Sequence, residues 1–132
     1  MRLTLRADGT ADLDVVWERY ADPQLWSTWA PQIRRVVCSA DRLAVGVTGE
    51  VYGVVPNLAA RFEVVEFSES EHRWAWDVVA GPVRMHIDHR SESRIGGGAS
   101  TTLVVDGPVV AVLTYAPVAR LSLEGLVRRA KP

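Results

Sequence analysis

The segment Ala99–Val127, ASTTLVVDGPVVAVLTYAPVARLSLEGLV, decides the fold of this chain of 132 residues. Its first part, through Asp106, has the apolar and β-branched composition typical of a strand. The pair Gly107-Pro108 ends that strand. The stretch that follows is mainly apolar and long enough to form a helix. The segment therefore predicts a last strand that leads directly into a C-terminal helix.

Pro117 interrupts the helical pattern. Proline lacks the main-chain N–H that would bond to the preceding turn, and its ring collides with that turn. We therefore expect a kink or a break near Pro117.

The segment upstream of the last strand contains the clearest alternation in the sequence. Val83, Met85 and Ile87 alternate with polar residues, which predicts a strand with one buried face. Glycines at 46, 49 and 53 indicate bending of an earlier strand, and turns are expected at Val55-Pro56-Asn57 and in a flexible loop over Arg90–Gly98. Further strands are predicted at Leu3–Leu5, Ile33–Ser39, Ala44–Val55, Leu58–Phe67 and Arg73–Val79.

Two short helices are predicted between the first two strands. Asp12 is a suitable N-cap for a helix whose apolar stripe is Leu13, Val16, Trp17 and Tyr20. Asp22-Pro23 begins a second helix, and Pro31 ends it.

Composition limits the classes of function. Hydrophobic residues make up 48% of the chain and the formal net charge is -1, so a folded domain over 1–132 without nucleic acid is expected. The single cysteine, Cys38, excludes an internal disulfide and suits the cytoplasm. No apolar run reaches the roughly 20 residues that span a bilayer, so no membrane insertion is expected.

Two groups of residues resemble a known superfamily. Val16-Trp17 followed by Asp22-Pro23-Gln24-Leu25-Trp26 and Trp29 resembles its opening "VW, then D-P-x-x-W-x-x-W", and Gly97–Pro108 resembles its closing "GG-S/T-T, strand, GP". The superfamily is SRPBCC, which includes START, Bet v 1 and polyketide cyclase/dehydrase proteins. The chain looks most like its small bacterial members.

The resemblance implies an α+β helix-grip fold. In that fold a curved antiparallel sheet of about seven strands, with two short N-terminal helices, curls around a C-terminal helix over a central cavity. Family members usually have a long, uninterrupted last helix, so Ala116-Pro117 is a departure from the pattern.

The resemblance also implies candidate functions without choosing among them. The first is binding of a small apolar ligand, lipid-like or aromatic and polyketide-like. The alternative is a polyketide cyclase, aromatase or dehydratase that acts on a poly-β-keto intermediate. A protein-interaction module is a third class, disfavoured because no partner surface is recognisable. The protein is expected to be a monomer or a homodimer.

Strand parity identifies candidate ligand-binding residues. Trp74 and Trp76 share the inner face of one strand, where large aromatic side chains either line a pocket or fill the core. A pocket is expected to be bordered by Trp74, Trp76, Met85, Leu103 or Thr102, and Tyr115, with Trp26 or Trp29 near its rim and Tyr52 as a further hydroxyl donor. Arg61 is expected to point outward, and Trp17 to be structural.

His89 continues the inner face of Val83, Met85 and Ile87. An inward histidine there could bind a ligand or act as an acid or base, which makes His89 the one candidate for catalysis. The alternative is a histidine bonded to a neighbouring loop. Neither a metal site nor a cofactor site is indicated by the spacing of histidines, cysteines and glycines.

Overall fold

The structure is a computed structural model, which describes residues 1–53 and 59–128. Within these residues it has seven strands, three α-helices and one short 3₁₀ helix. The strands are β1 (Arg2–Gly9), β2 (Ile33–Cys38), β3 (Thr48–Gly53), β4 (Ala59–Ser68), β5 (Arg73–Ala80), β6 (Val83–Ser93) and β7 (Ala99–Asp106). The helices are α1 (Leu13–Ala21), α2 (Trp26–Trp29) and α3 (Val109–Leu126), with the 3₁₀ helix at Pro23–Leu25.

All seven strands form one antiparallel sheet in the order β1-β7-β6-β5-β4-β3-β2. The register shifts between Ile33 and Arg35 in β2 and between Val64 and Glu66 in β4. Such bulges bend a strand and increase its twist, and the sheet is curved. The α+β helix-grip fold expected from the sequence is confirmed.

The N-terminal helices begin where the sequence predicted, with Asp12 at the N-cap position of α1, although its side chain makes no capping hydrogen bond. The cap predicted for the second helix is formed. The Asp22 side chain accepts a hydrogen bond from the Gln24 N–H at 3.0 Å, and Pro23 occupies the first helical position. The first turn of this second helix is 3₁₀ and the remainder is α2. The Trp26 indole then donates to the Tyr20 main-chain oxygen at 2.9 Å, which joins α2 to α1.

The sequence predicted a kink or a break near Pro117. Helix α3 runs across Pro117 as one helix, so the break is absent. Pro117 and Leu113, whose carbonyl would have been the partner of residue 117, are both exposed. Water can therefore bond to the carbonyl that proline leaves free, and the ring lies away from the sheet.

Two further expectations about local structure need correction. The region Arg90–Gly98 is not wholly a loop, because β6 continues to Ser93 and only Arg94–Gly98 turns the chain. Strand β3 begins at Thr48 and not at Ala44. The turn expected at Val55-Pro56-Asn57 lies outside the described residues.

The core lies between the inner face of the sheet and α3. Among the described residues, α3 is the one helix whose length and apolar composition would suffice to cross a membrane. The core helix of a soluble protein meets the same description, and α3 contributes four apolar side chains to the core: Val112, Ala119, Leu123 and Leu126. Gly125 brings α3 against α2, since a Cβ built there would lie 2.3 Å from the Trp29 carbonyl oxygen.

We predict that Gly125→Ala destabilises the protein, although alanine is the better helix former. The added methyl group collides with main chain, which cannot rotate away as a side chain can, so we expect a loss of about 1–3 kcal/mol in the free energy of unfolding. Urea denaturation measures it. Glu124→Ala, at an exposed neighbouring position, is the control and should change stability by less than about 0.5 kcal/mol. Equal stabilities for the two variants would contradict the close approach.

Candidate ligand-binding cavity

Two adjoining cavities lie between the sheet and α3. The inner cavity has a volume of about 40 Å³ and the outer cavity about 330 Å³. The same four residues line both of them, so the two spaces adjoin: Gln32, Ile33, Trp76 and Tyr115. The inner cavity lies in the aromatic core, and the larger outer cavity lies beside it toward β3 and β6.

Aromatic rings surround the inner cavity. Trp26 and Trp74 stack with ring centroids 6.1 Å apart, and Trp76 packs edge-on against both of them at 5.2 and 5.0 Å. Tyr20 adds an edge-on contact with Trp74 at 5.4 Å. Such tilted and edge-to-face contacts suit the charge distribution of aromatic rings and hold them rigidly.

His89 is buried in this aromatic cluster, as strand parity predicted. Its ring stacks on Trp74, with centroids 3.8 Å apart and planes inclined by 4°. Nδ1 lies 3.2 Å from the Trp74 main-chain oxygen. Burial lowers the pKa of His89 from 6.5 to about 3, so the ring is uncharged near neutral pH.

The tryptophan N–H groups fall into two sets. Those of Trp26 and Trp29 donate to main-chain oxygens in α1, at 2.9 and 3.0 Å. Those of Trp17, Trp74 and Trp76 are buried and have no acceptor among the described residues. Of these three side chains, Trp74 and Trp76 line the inner cavity, whereas Trp17 lines neither cavity. A buried donor without an acceptor is costly, and it is unusual in a folded protein unless water or a ligand completes it.

Hydroxyl groups occupy both sides of the inner cavity. On the sheet side the Tyr20 hydroxyl lies 3.2 Å from Thr101 Oγ1, which also accepts from Ser91. On the helix side Ser122 Oγ lies 2.7 Å from Gln32 Oε1. Burial raises the pKa of Tyr115 to about 12, so its hydroxyl, at the junction of the two cavities, stays protonated.

Apolar side chains dominate the outer cavity. Beyond the four shared residues, its lining is Val51, Gly53, Ala60, Val78, Ala80, Met85 and Ile87. None of the described residues that line either cavity carries a formal charge at neutral pH. The site thus provides a large apolar space that ends in a small, uncharged polar recess.

Eight of the ten predicted ligand-binding residues line these cavities. Trp26, Trp29, Trp74, Trp76, His89, Leu103 and Tyr115 line the inner one, and Met85 joins Trp76 and Tyr115 in the outer one. Their role in binding remains a prediction.

The structure does not place Thr102 or Tyr52 in the cavities. Thr102 pairs with Arg6 and Arg90 in the neighbouring strands, and these are exposed, so its side chain lies on the outer face with theirs. Tyr52 alternates with the cavity-lining Val51. It donates to Glu50, and the guanidinium of Arg35 lies 4.3 Å above its ring, both on the outer face.

Two other predicted placements agree with the structure. Arg61 is exposed on β4, as parity indicated. Trp17 packs on Phe67 and His72, with centroids 5.2 and 5.4 Å away, and lines neither cavity.

Several lining residues were not among the predicted site residues. Tyr20 was assigned to the buried face of the first helix without a role at the site. Ala119, Ser122 and Leu123 follow Tyr115 at helical spacings of four, seven and eight residues, so the face that contains Tyr115 could have identified them. Gln32 precedes β2 and carried no such signal.

Within residues 1–53 and 59–128, no cluster of three or more His, Cys, Asp or Glu side chains could hold a metal ion. Two of the histidines, His86 and His89, lie on opposite faces of β6. His89 faces the cavity, while His86 points outward and pairs with Asp77 at 2.7 Å.

Comparison with known families identifies the class of protein. A family model described as "Polyketide cyclase / dehydrase and lipid transport" matches residues 2–130. The chain therefore belongs to this family, within the SRPBCC superfamily that the sequence motifs indicated. No curated protein matches the chain at a significant level.

Solved structures of low sequence identity share the fold. A protein from Nitrosospira multiformis superposes with a TM-score of 0.80 at 16% identity, covering 96% of this chain and 94% of the other. A protein from Chromobacterium violaceum gives a TM-score of 0.72 at 18% identity, with the same two coverages of 96% and 94%. Ara h 8.0201 gives 0.72 at 12% identity, covering 96% of this chain and 97% of that one.

We predict that His89 makes stability depend on pH. The unfolded chain binds a proton at His89 below its ordinary pKa of 6.5, whereas the folded protein binds it only near pH 3. The stability present above pH 6.5 is therefore lost as the pH falls, by roughly 1.4 kcal/mol per pH unit.

Urea unfolding at about pH 7 and about pH 5 measures this dependence. The parent should lose about 2 kcal/mol more than His89→Gln, whose side chain has no proton to bind in this range. Equal losses in the two proteins would show that His89 is not held uncharged.

Proposed function

We propose that the protein binds a small hydrophobic molecule, lipid-like or aromatic and polyketide-like, in the cavity between the sheet and α3. The observation that carries the proposal is the outer cavity of about 330 Å³, whose described lining is almost wholly apolar. Small-molecule sites have volumes of about 300–1,000 Å³ and are lined mainly by hydrophobic and aromatic side chains with a few polar groups.

Binding of a ligand also accounts for a feature that packing alone does not. A core that served only stability would be filled, because interiors are packed to the density of organic crystals. Here a space large enough for an aromatic ring system remains beside Trp76, Met85 and Tyr115. An apolar ligand would restore the missing contacts.

The geometry favours binding over the cyclase alternative. Cyclisation or dehydration of a poly-β-keto chain needs a group that moves a proton near neutral pH. His89 is the one ionisable imidazole in the lining, and with a pKa of about 3 it is a weak base and is not available as an acid. Tyr115, whose pKa is raised to about 12, is no better suited to proton transfer.

The proposal includes a setting for the protein. We place it in the cytoplasm as a single domain, monomeric or homodimeric, with the small molecule as its partner and without nucleic acid. The near balance of charge and the single, half-buried Cys38 support this setting.

Native mass spectrometry of protein purified from its own host tests the proposal most directly. A retained molecule appears as a mass increment, and its fragmentation gives the chemical class. We expect a neutral or weakly polar hydrophobic compound. Protein that carries nothing and takes up no member of a broad panel of lipids and aromatic compounds would contradict the proposal.

A cavity-filling variant provides the matched test. Val78→Trp places an indole where the outer cavity lies, and we expect affinity for any ligand of this site to fall about tenfold or more because the bulk displaces the ligand. Val79→Trp is the control, since Val79 is the next residue of β5 and faces the other side of the sheet. Quenching of tryptophan fluorescence by an added aromatic ligand gives the affinities. Equal affinities in the two variants would place the ligand elsewhere.

A further inference from the structure

We propose that the inner cavity is a subsite for an uncharged hydroxyl group of the ligand, which donates a hydrogen bond to His89 and accepts one from a tryptophan N–H. This inference rests on the proposed function, because the apolar body of the same ligand would occupy the outer cavity. It names the chemical class of the ligand: a phenol, enol or alcohol, and not a carboxylic acid.

The acceptor in this subsite is Nε2 of His89. The Nδ1 atom lies 3.2 Å from the Trp74 main-chain oxygen, and a carbonyl oxygen can only accept, so Nδ1 carries the proton. The uncharged ring then has its lone pair on Nε2. No hydrogen bond within residues 1–53 and 59–128 engages that atom. His89 is buried, with 5% of the residue exposed, and it lines the inner cavity.

The donors are the indole N–H groups of Trp74 and Trp76. Both are buried, both lack an acceptor among the described residues, and both side chains line the inner cavity. A ligand made only of hydrocarbon would leave these two donors and Nε2 unsatisfied. A hydroxyl group matches them, because it donates one hydrogen bond and accepts others.

The size of the inner cavity agrees with this division of the ligand. A water-sized group needs at least about 10–15 Å³ of such space, and the inner cavity provides about 40 Å³. An aromatic ring does not fit there but does fit the outer cavity of about 330 Å³. The shared residues Trp76 and Tyr115 would contact the ligand where its polar end meets its apolar body.

The absence of charge in the described lining distinguishes a hydroxyl from a carboxylate. An ionised carboxylate would be buried without a cation, and that penalty exceeds what one or two hydrogen bonds return. It would also bring negative charge against the Nε2 lone pair. A neutral hydroxyl has neither disadvantage.

Three probes with one ring system test the inference: naphthalene, a naphthol and a naphthoate. Their dissociation constants are measured near neutral pH by calorimetry or by tryptophan quenching. We expect the naphthol to bind about tenfold more tightly than naphthalene, the worth of about one net hydrogen bond, and the naphthoate to bind more weakly than naphthalene. In a purely apolar cavity the naphthol would bind more weakly than naphthalene, because burying a hydroxyl group without hydrogen-bond partners costs free energy.

The variant His89→Phe removes the ring nitrogens while it keeps an aromatic ring to stack on Trp74. We expect the naphthol to lose about tenfold in affinity and naphthalene to change by less than about twofold. His86→Phe, on the outer face of the same strand, is the matched control and should keep the preference for the naphthol. A preference that survives His89→Phe would overturn the inference.

A measurement on the unaltered protein keeps the inference testable if His89→Phe does not fold. Saturation with the naphthol should shift the indole N–H proton resonance of Trp74 or Trp76 downfield, and naphthalene should not. Unchanged indole resonances would overturn the inference.

The outcomes separate the two proposals. Should naphthalene and the naphthol bind equally well, the hydroxyl subsite is absent and the proposed function stands. If neither compound binds to folded protein, the inference fails, and the proposed function fails with it when the broad panel of lipids and aromatic compounds also shows no binding.

Discussion

Alternation of side chains across β5, β6 and β7 is the constraint on which the rest of the structure depends. Because successive residues of a strand point to opposite faces, one face of these three strands carries Trp74, Trp76, Ile87, His89 and Leu103. That face must be covered, and the chain covers it with α3 on one side and with α1 and α2 at the end of the sheet. The bulges in β2 and β4 then curve the sheet, so that the cover does not fill the whole concave side. The cavity follows from this incomplete fit.

Regular strands were the part of the molecule that the sequence could predict. The alternation over Val83–Ile87 extends to His89 without a bulge, so parity placed the histidine correctly in the interior. Trp74 and Trp76 followed from the same rule on β5. The order of elements and the boundary at Gly107-Pro108 were also predictable, because turn residues and a change of hydrophobic period mark them locally.

Irregular positions were not predictable in this way. Thr101 and Thr102 are adjacent and identical, so choosing the inward one requires the pairing of β7 with β1 and β6, which the sequence does not display. Tyr52 lies beside a bulged neighbour in a strand with little alternation. Pro117 lies on the exposed side of α3, where the lost hydrogen bond is tolerated. In each case a tertiary contact or exposure to solvent determines which way the side chain points or whether the helix continues. Local propensity alone does not determine either.

The two edges of the sheet, β1 and β2, do not pair with each other, so the sheet is an open one and not a barrel. Near the start of β2, the polar contact to α3 is the bond between Ser122 and Gln32 at 2.7 Å, which is made by side chains alone. Separation of β2 from α3 there would break no main-chain hydrogen bond between strands. In kinetic terms, a ligand bound as proposed could exchange on this side through rotamer changes alone, on the nanosecond to microsecond scale of local motion and without local unfolding. An open sheet would thus combine a rigid aromatic interior with rapid exchange.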